Sequence, residues 1–588
     1  MSSFFTPSTY MNTTTLGQNL RVRKDIAGLR SRLNEAQTQL ASGYKADTHG
    51  GLGSSATVAQ ELRHRLSRLE GYKTSIATIG MRLETVQKGL NTLQKNTEKL
   101  TETVYATYAP GNIEAIEHSR VEARSILHTN ISILNMSQGS RYLYSGSDIS
   151  TRPVIDTESM INGSGGRMGL TDVVALRLQA DTGTGSGRLS TAEAAGVVTV
   201  THDGGVFGMR LTDITGPAGS VTVPAVAETA ANTSEGTIDT GAVALGERVV
   251  LSFEMPDGTA STITMIAGTA PLPASPAKDT YYFDTGSGPS FDSVLGSAIT
   301  TLVGREMTGA SGIAAAGDFF DHGAPRIPDG APATATGLAI SSGTVVDWYQ
   351  GESAVEQVNG PATDPTLLTP AAGDVYMIDS VGPAAGVWAG REGMLATFNG
   401  VGWTYTAPET GSRVIADAAT PGAPARMYTF DAGTGAWTDA GQAPTQTSAR
   451  DSVTAKVDDG MSVSHGVRAD EQGIRDNLKA AALLLAADLD TAAPDPYQQV
   501  ARKVTGLLRT AHSDVISTQA EIGVVQERLV KLDESHKDFK AMINNQVLEV
   551  EGVDDFELSA RLQEMMTRLE SSYKIVARLQ DMSLTNYI

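Results

Sequence analysis

Between Leu62 and Val104 the apolar residues Leu62, Leu69, Tyr72, Ile76, Ile79, Leu83, Val86, Leu90, Leu93, Leu100 and Val104 fall three or four apart, with whole steps of seven at Leu62–Leu69 and Leu93–Leu100, the seven-residue repeat of a coiled coil. The repeat predicts one helix from about Ala56 to Thr107, on the order of 75 Å long at a rise of about 1.5 Å per residue. A shorter helix of the same grammar precedes it, marked by Val22, Ile26, Leu29, Leu33, Ala36 and Leu40 and ended by SGYKADTHGGLGS; Ser54 or Ser55 is the expected cap of the restart. The pattern returns at the far end. Ile522, Val525, Leu529, Leu532, His536, Phe539, Ile543, Gln546 and Val550 form one stripe, with His536 and Gln546 read as packing positions. After EGVDD, Leu562, Met565, Leu569, Val576 and Leu579 form another.

Between these helical ends the texture changes to Gly, Thr, Ala, Pro and Asp, with Lys278 the only lysine between Lys99 and Lys456. RVVLSFEMPDGTASTITMI predicts a β-hairpin with Val249, Leu251, Phe253 and Met255 on one face and the bend at Pro256-Asp257-Gly258; VVTVTHDGGVFGMRLTDI predicts a second over 197–214. Phe291, Val294, Leu295, Ile299 and Leu302 suit a short amphipathic helix. All four tryptophans lie between Trp348 and Trp437, so that stretch is expected to carry its own core. The fold class is therefore α+β multidomain: a coiled-coil-like bundle formed by both chain ends, with β-rich domains inserted in the middle. The expected bounds are 1–150 and 469–588 for the helical regions, 151–345 for an α+β insert, 346–448 for a nested tryptophan module and 449–468 for a returning strand segment.

Charge removes one class of partner. A net charge of -21 on 588 residues repels nucleic acid and anionic membrane surfaces. No run reaches the roughly 18 apolar residues of a membrane span, and MSSFFTPSTYMNTTT lacks the basic start and apolar stretch of a cleaved secretory signal. With no cysteine there is no disulfide or thiolate chemistry.

Signatures of catalysis are sparse. There is no phosphate-binding G-x-x-x-x-G-K-[ST], no H-E-x-x-H and no calcium loop, and the nine histidines are scattered, so neither enzyme activity, cofactor nor metal is expected. TGTGSG (182–187) looks like a phosphate loop only superficially, because no helix pattern follows it. Asp374, Asp379 and Glu392 sit among tryptophans as a glycan-cleaving carboxylate pair could. Trp388, Trp403 and Trp437 are candidates for a sugar-contacting platform, against the alternative that they pack a small β core.

The terminal stripes point to assembly. A helix with a coiled-coil stripe cannot bury it alone, so the two ends are expected to pack on each other and then on copies of the chain. Leu16, Ile26, Leu29, Leu33, Leu562, Leu569, Val576, Leu579, Leu584, Tyr587 and Ile588 are the expected interface. The apolar ending DMSLTNYI belongs to that surface.

QLASGYKADTHGGLGSSATVAQELRHRLSRLEGYKTSIATIGMRLETVQKGL (39–90) resembles the N-terminal helical region of the bacterial flagellin superfamily, and DVISTQAEIGVVQERLVKL (514–532) resembles its C-terminal region. SRYLYSGSDISTRPV (140–154), the ending LESSYKIVARLQDMSLTNYI, and Gly50-Gly51 where flagellins commonly carry paired acids are most like the hook-associated branch. The resemblance implies a structural component of the flagellum that joins hook to filament, with a filament subunit as the alternative. It implies like subunits in a tubular ring, a neighbouring hook-associated protein, flagellin and a cytosolic export chaperone as partners. It also implies an extracellular destination reached by the flagellar type III route. GERVVLSFEMPDGTASTITMI is similar to insertion modules of alphaproteobacterial flagellar proteins. Residues 370–415 are similar to a β module of phage and gene-transfer-agent tail proteins, which keeps a phage-like tail or adhesive surface protein as a further alternative. On that reading TVVDWYQGE (344–352) and ARDSVTAKVDDG (449–460) are halves of one interrupted element.

Overall fold

The computed structural model describes residues 15–108, 112–203, 207–222, 233–269, 271–272, 277–321, 345–351, 356–371, 373–380, 382–398, 403–408, 412–416, 426–442, 449–487 and 495–581. The helices, in chain order, are α1 Thr15–Ser42, α2 Ala56–Ala106, α3 Ile113–Leu134, α4 Thr157–Asn162, α5 Leu170–Thr182, α6 Phe291–Asp321, α7 Gln472–Ala486, α8 Asp495–Glu551 and α9 Asp555–Asp581. The fold is α+β, with long terminal helices and several β-sheets in the middle. The chain divides into two compact units: Met1–Ile79 with Lys456–Ser462 and Glu527–Ile588, and Gly80–Ala455 with Val463–Gln526.

The α2 stripe forms as its spacing predicts. Leu62, Ile76, Ile79, Leu83, Val86, Leu90, Leu93, Leu100 and Val104 are all buried. No serine cap starts the helix; a 3-10 turn, His49–Ser55, runs into it through Gly53 at φ 58°. In the second unit α2, α3 and α7 share a polar seam. Asn96 Nδ2 donates to Asn130 Oδ1 (2.6 Å), Asn130 Nδ2 donates to Asn477 Oδ1 (2.6 Å), and Asn477 Nδ2 donates to Thr97 Oγ1. Tyr144, fully buried where the chain leaves the helices, donates to the Val86 carbonyl (3.1 Å) over Gly89, where a Cβ would collide with its hydroxyl.

The insert after α5 contains two four-stranded sheets. One runs Thr280–Asp284, Ala260–Gly268, Arg248–Glu254, Arg210–Thr215; the other runs Leu189–Ala194, Val197–His202, Thr233–Asp239, Val221–Thr222. The Arg248–Glu254 and Ala260–Gly268 hairpin is as expected, with Gly258 at φ 75° in the bend and Val249, Leu251, Phe253 and Met255 buried. The second hairpin is not. Val197–His202 pairs with Leu189–Ala194 and Thr233–Asp239, while Arg210–Thr215 pairs with Arg248–Glu254 in the other sheet. Alternation marks both strands but does not choose their partners. The expected short helix is 31 residues long, because the small residues Gly309, Ala310, Gly312, Ala315 and Ala316 continue it as a tightly packed buried face. A Cβ at Gly309 would meet the Gln499 backbone at 2.9 Å.

His202 makes this insert acid-sensitive. It is wholly buried, with Nε2 3.0 Å from the Phe207 carbonyl; burial, then the Arg210 charge, pushes its pKa from 6.5 to about 3. Below pH 6.5 the unfolded chain takes up a proton that the folded chain refuses, so this contribution is complete above 6.5 and falls by about 1.4 kcal/mol per pH unit towards 3. Glu235 acts in the opposite sense: burial raises its pKa, and its share is complete below 4.5. The expected result is a urea midpoint that drops from pH 7 to pH 5 in the native chain and drops less in His202→Gln. Equal slopes in the two proteins would contradict it.

The tryptophan module holds two more four-stranded sheets: Glu356–Val358, Arg413–Ala416, Arg426–Asp431, Ala436–Gln442, and Pro361–Ala362, Val375–Ile378, Leu395–Phe398, Trp403–Thr406. Trp348 is not part of it. Its indole N–H donates to the Phe320 carbonyl (3.1 Å) and its ring lies against Phe320, so this tryptophan closes the end of α6. Among the described residues the two expected half-elements do not pair with each other. Val345 and Tyr349 bridge Met168 and Val154, and Thr454–Asp458 pairs with Met461–Ser464. Their flanks nevertheless meet one strap. Gly351 lies against Ser145, Ser145 bridges Arg468, and Gly466 N–H donates to the Arg450 carbonyl (2.7 Å). Residues 352–355 and 443–448, where the module would join, lie outside the described residues.

Candidate assembly surface

The two sequence breaks, one after α1 and one before α9, are joined to each other in the first unit. Tyr44 bridges Gly552, Lys45 N–H donates to the Glu551 carbonyl (2.7 Å), and Val553 N–H donates to the Gly43 carbonyl (3.1 Å). Gly43 takes φ 74° to make the bend. Lys45 Nζ donates to the carbonyls of Glu549 and Val550 at the end of α8, where a cation suits the free carbonyls and the helix dipole. Arg63 holds the buried Glu551 carboxylate at 2.6 Å. Asp554 then caps α9, accepting from the N–H groups of Phe556 and Glu557.

From this elbow α1 and α9 run as a pair. Their core is Ala36, Leu558, Leu562 and Met565, with Leu29, Leu33 and Val553 half-buried beside it. Ile26 is buried, and Leu569 and Val576 are half-buried. Farther along the pair a groove of about 480 Å³ opens between Arg23, Ile26, Ala27, Arg30, Tyr573 and Val576, with the Arg30 guanidinium 5.5 Å from the Tyr573 ring centre. The side chains of Leu16 and Leu579, and Leu584, Tyr587 and Ile588 entirely, lie outside the described residues.

Much apolar surface is left uncovered. On α9, Phe556 is 91% exposed, and Met566, Tyr573 and Ile575 are exposed; on α1, Leu20 and Leu40 are exposed. Along α8 the stripe splits: Ile522, Leu529, His536 and Ile543 are buried, whereas Phe539 and Gln546 are exposed. The packing reading of Gln546 is thus corrected, since among the described residues nothing covers that side of the stripe. His536 is packed as expected, 3.4 Å from the Asp458 carboxylate and beside the Tyr72 ring.

The tryptophan platform is not brought to the surface. Trp388 and Trp403 are buried with ring centres 4.9 Å apart in a core with Ile378, Ala396 and Tyr405, so neither offers a ring face to a sugar. Trp437 is half-buried and donates to the Gly393 carbonyl (2.8 Å). The Glu392 carboxylate accepts from Ala384 and Gly390 N–H groups, which hold its pKa below the usual range, the wrong direction for a proton donor. TGTGSG follows α5 as a chain reversal, with Gly183, Gly185 and Gly187 at positive φ. Sequence reading missed the asparagine seam; its signal was the seven-residue step from Leu93 to Leu100, where Thr97 takes the apolar position.

Residues 505–588 match the family described as the bacterial flagellin C-terminal helical region. No curated protein matches the chain. The match takes in most of α8 and all of α9, the helix that pairs with α1, and it supports a place in the bacterial flagellin superfamily. It supports a structural component of the extracellular flagellum that works by self-assembly. Among the described residues no helix is long and apolar enough to cross a membrane.

Proposed function

We propose that this protein is the adaptor between flagellar hook and filament, and that the α1 and α9 pair is the part that enters the tubular lattice. The observation that carries the reading is the mismatch between buried and exposed apolar surface on that pair: a core of four buried residues against the exposed Phe556, Met566, Tyr573 and Ile575. A pair with so thin a core is marginal by itself and gains its stability from neighbours. Like subunits, a neighbouring hook-associated protein and flagellin supply those neighbours, and a cytosolic chaperone covers α9 before type III export. The segment 140–154, with Tyr144 locked onto α2, favours the junction over the filament through its resemblance to the hook-associated branch. The filament-subunit reading is kept because the matched family is that of flagellin itself. Deleting the gene separates the two. Hooks without filaments, with flagellin shed into the medium, are expected; a shortened filament on an intact junction would favour the filament subunit.

A further inference from the structure

In the second unit, a small recess lies where α2 meets the strap that leaves the helices. Arg82, Arg141 and His465 line it, together with Leu83, Val86 and the backbone of Gly146. Two arginines and a histidine therefore border one space of about 20 Å³, enough for a single water-sized group. Arg82 Nε is buried and has no hydrogen-bond partner. Among the described residues neither Arg82 nor Arg141 forms an ion pair. That is out of keeping with a chain of net charge -21, in which Arg63, Arg177, Arg210, Arg305 and Arg450 all hold carboxylates.

The electrostatics agree with the geometry. Burial, then the Arg82 charge beside it, lowers the pKa of Arg141; burial, with both arginines adding to it, lowers that of His465. Arg82 and Arg141 are half-buried beside the buried His465, and like charges brought together with part of their water removed favour a partner of opposite sign. The backbone groups nearby are already used: Tyr142 N–H donates to Ile149, Leu143 N–H to Met136 and Gly146 N–H to Val467. Among the described residues no carboxylate meets either arginine there.

We propose that the recess formed by Arg82, Arg141 and His465 is a binding site for one oxyanion, a carboxylate or phosphate group whose oxygen enters between the two guanidinium groups. Planar guanidinium groups are suited to such oxygens. The oxyanion has two sources, a free anion or a carboxylate of a neighbouring copy; only the second rests on the assembly reading above.

The test uses the full chain as a dilute monomer, inorganic phosphate as the probe, and the variant Arg141→Glu. Phosphate well above its dissociation constant is expected to raise the wild-type Tm by about 1–2 °C. It should leave Arg141→Glu unmoved, because there the new carboxylate fills the recess from within. Without phosphate, Arg141→Glu should unfold at or above the wild-type temperature, whereas loss of an ordinary structural arginine lowers it. A wild type indifferent to phosphate, or an Arg141→Glu protein that responds as wild type does, overturns the proposal. Incorporation into flagella then separates the sources. If a neighbour supplies the carboxylate, Arg141→Glu is folded and exported but not incorporated; if the anion is free, it is incorporated normally. The monomer arm reads the recess even if the chain assembles nowhere, so the failure of one idea is distinct from the failure of the other.

Discussion

Replacing Leu562 by aspartate is expected to separate α1 from α9 and abolish assembly, while the β-rich insert remains folded. Leu562 is 8% exposed and is one of four buried residues in the pair's core. Removing it forfeits about 2–3 kcal/mol of transfer and cavity energy, and a carboxylate in its place adds a desolvation cost of similar size. A pair held by so few contacts has no reserve of that order. Hydrogen exchange over 15–42 and 555–581 should become fast, and sedimentation should show no polymer. Leu562→Met, which conserves volume, should cost less than about 1.5 kcal/mol and assemble. Slow exchange through both helices in the aspartate variant would show that the pair does not depend on this core.

The second large effect is expected at Asn130, at the centre of the seam in the second unit. Asn130→Ala removes two hydrogen bonds and leaves the Asn96 amide and the Asn477 carbonyl without their partner, at about 1–3 kcal/mol for each orphaned group. The urea midpoint of the second unit should fall accordingly. The quadruple change Asn96→Leu, Thr97→Val, Asn130→Leu and Asn477→Leu should recover most of that stability, because with all four members of the seam made apolar no hydrogen-bonding group is left without its partner. What it should lose is a unique register of α2 against α3 and α7, visible as heterogeneous exchange. An Asn130→Ala protein with an unchanged midpoint would mean that the seam is not coupled to the fold.

The helical ends were legible because a seven-residue stripe is a property of the helix itself: every residue expected along α2 from Ile76 to Val104 is buried. Pairings across long distances were less so. Two breaks could be seen in the chain, but not that Gly43 and Lys45 would hydrogen-bond to Glu551 and Val553. Alternation located the strands at 197 and 210 and said nothing of the different sheets they enter. Trp348 was grouped with the other tryptophans by position alone, and its partner is Phe320. The recess at Arg82 was invisible, because the absence of an acid near Arg141 depends on a strap that folds back onto α2.

On the function proposed above, α1 and α9 form the part of this chain that enters a flagellar lattice at the hook tip. A cryo-EM map of isolated hook and filament complexes tests it most directly. The expected map shows a single short tier of this chain between hook and filament, with its α1 and α9 helices packed against those of neighbouring copies. Copies spread along the whole filament, or a tier in which these helices face solvent, would contradict it.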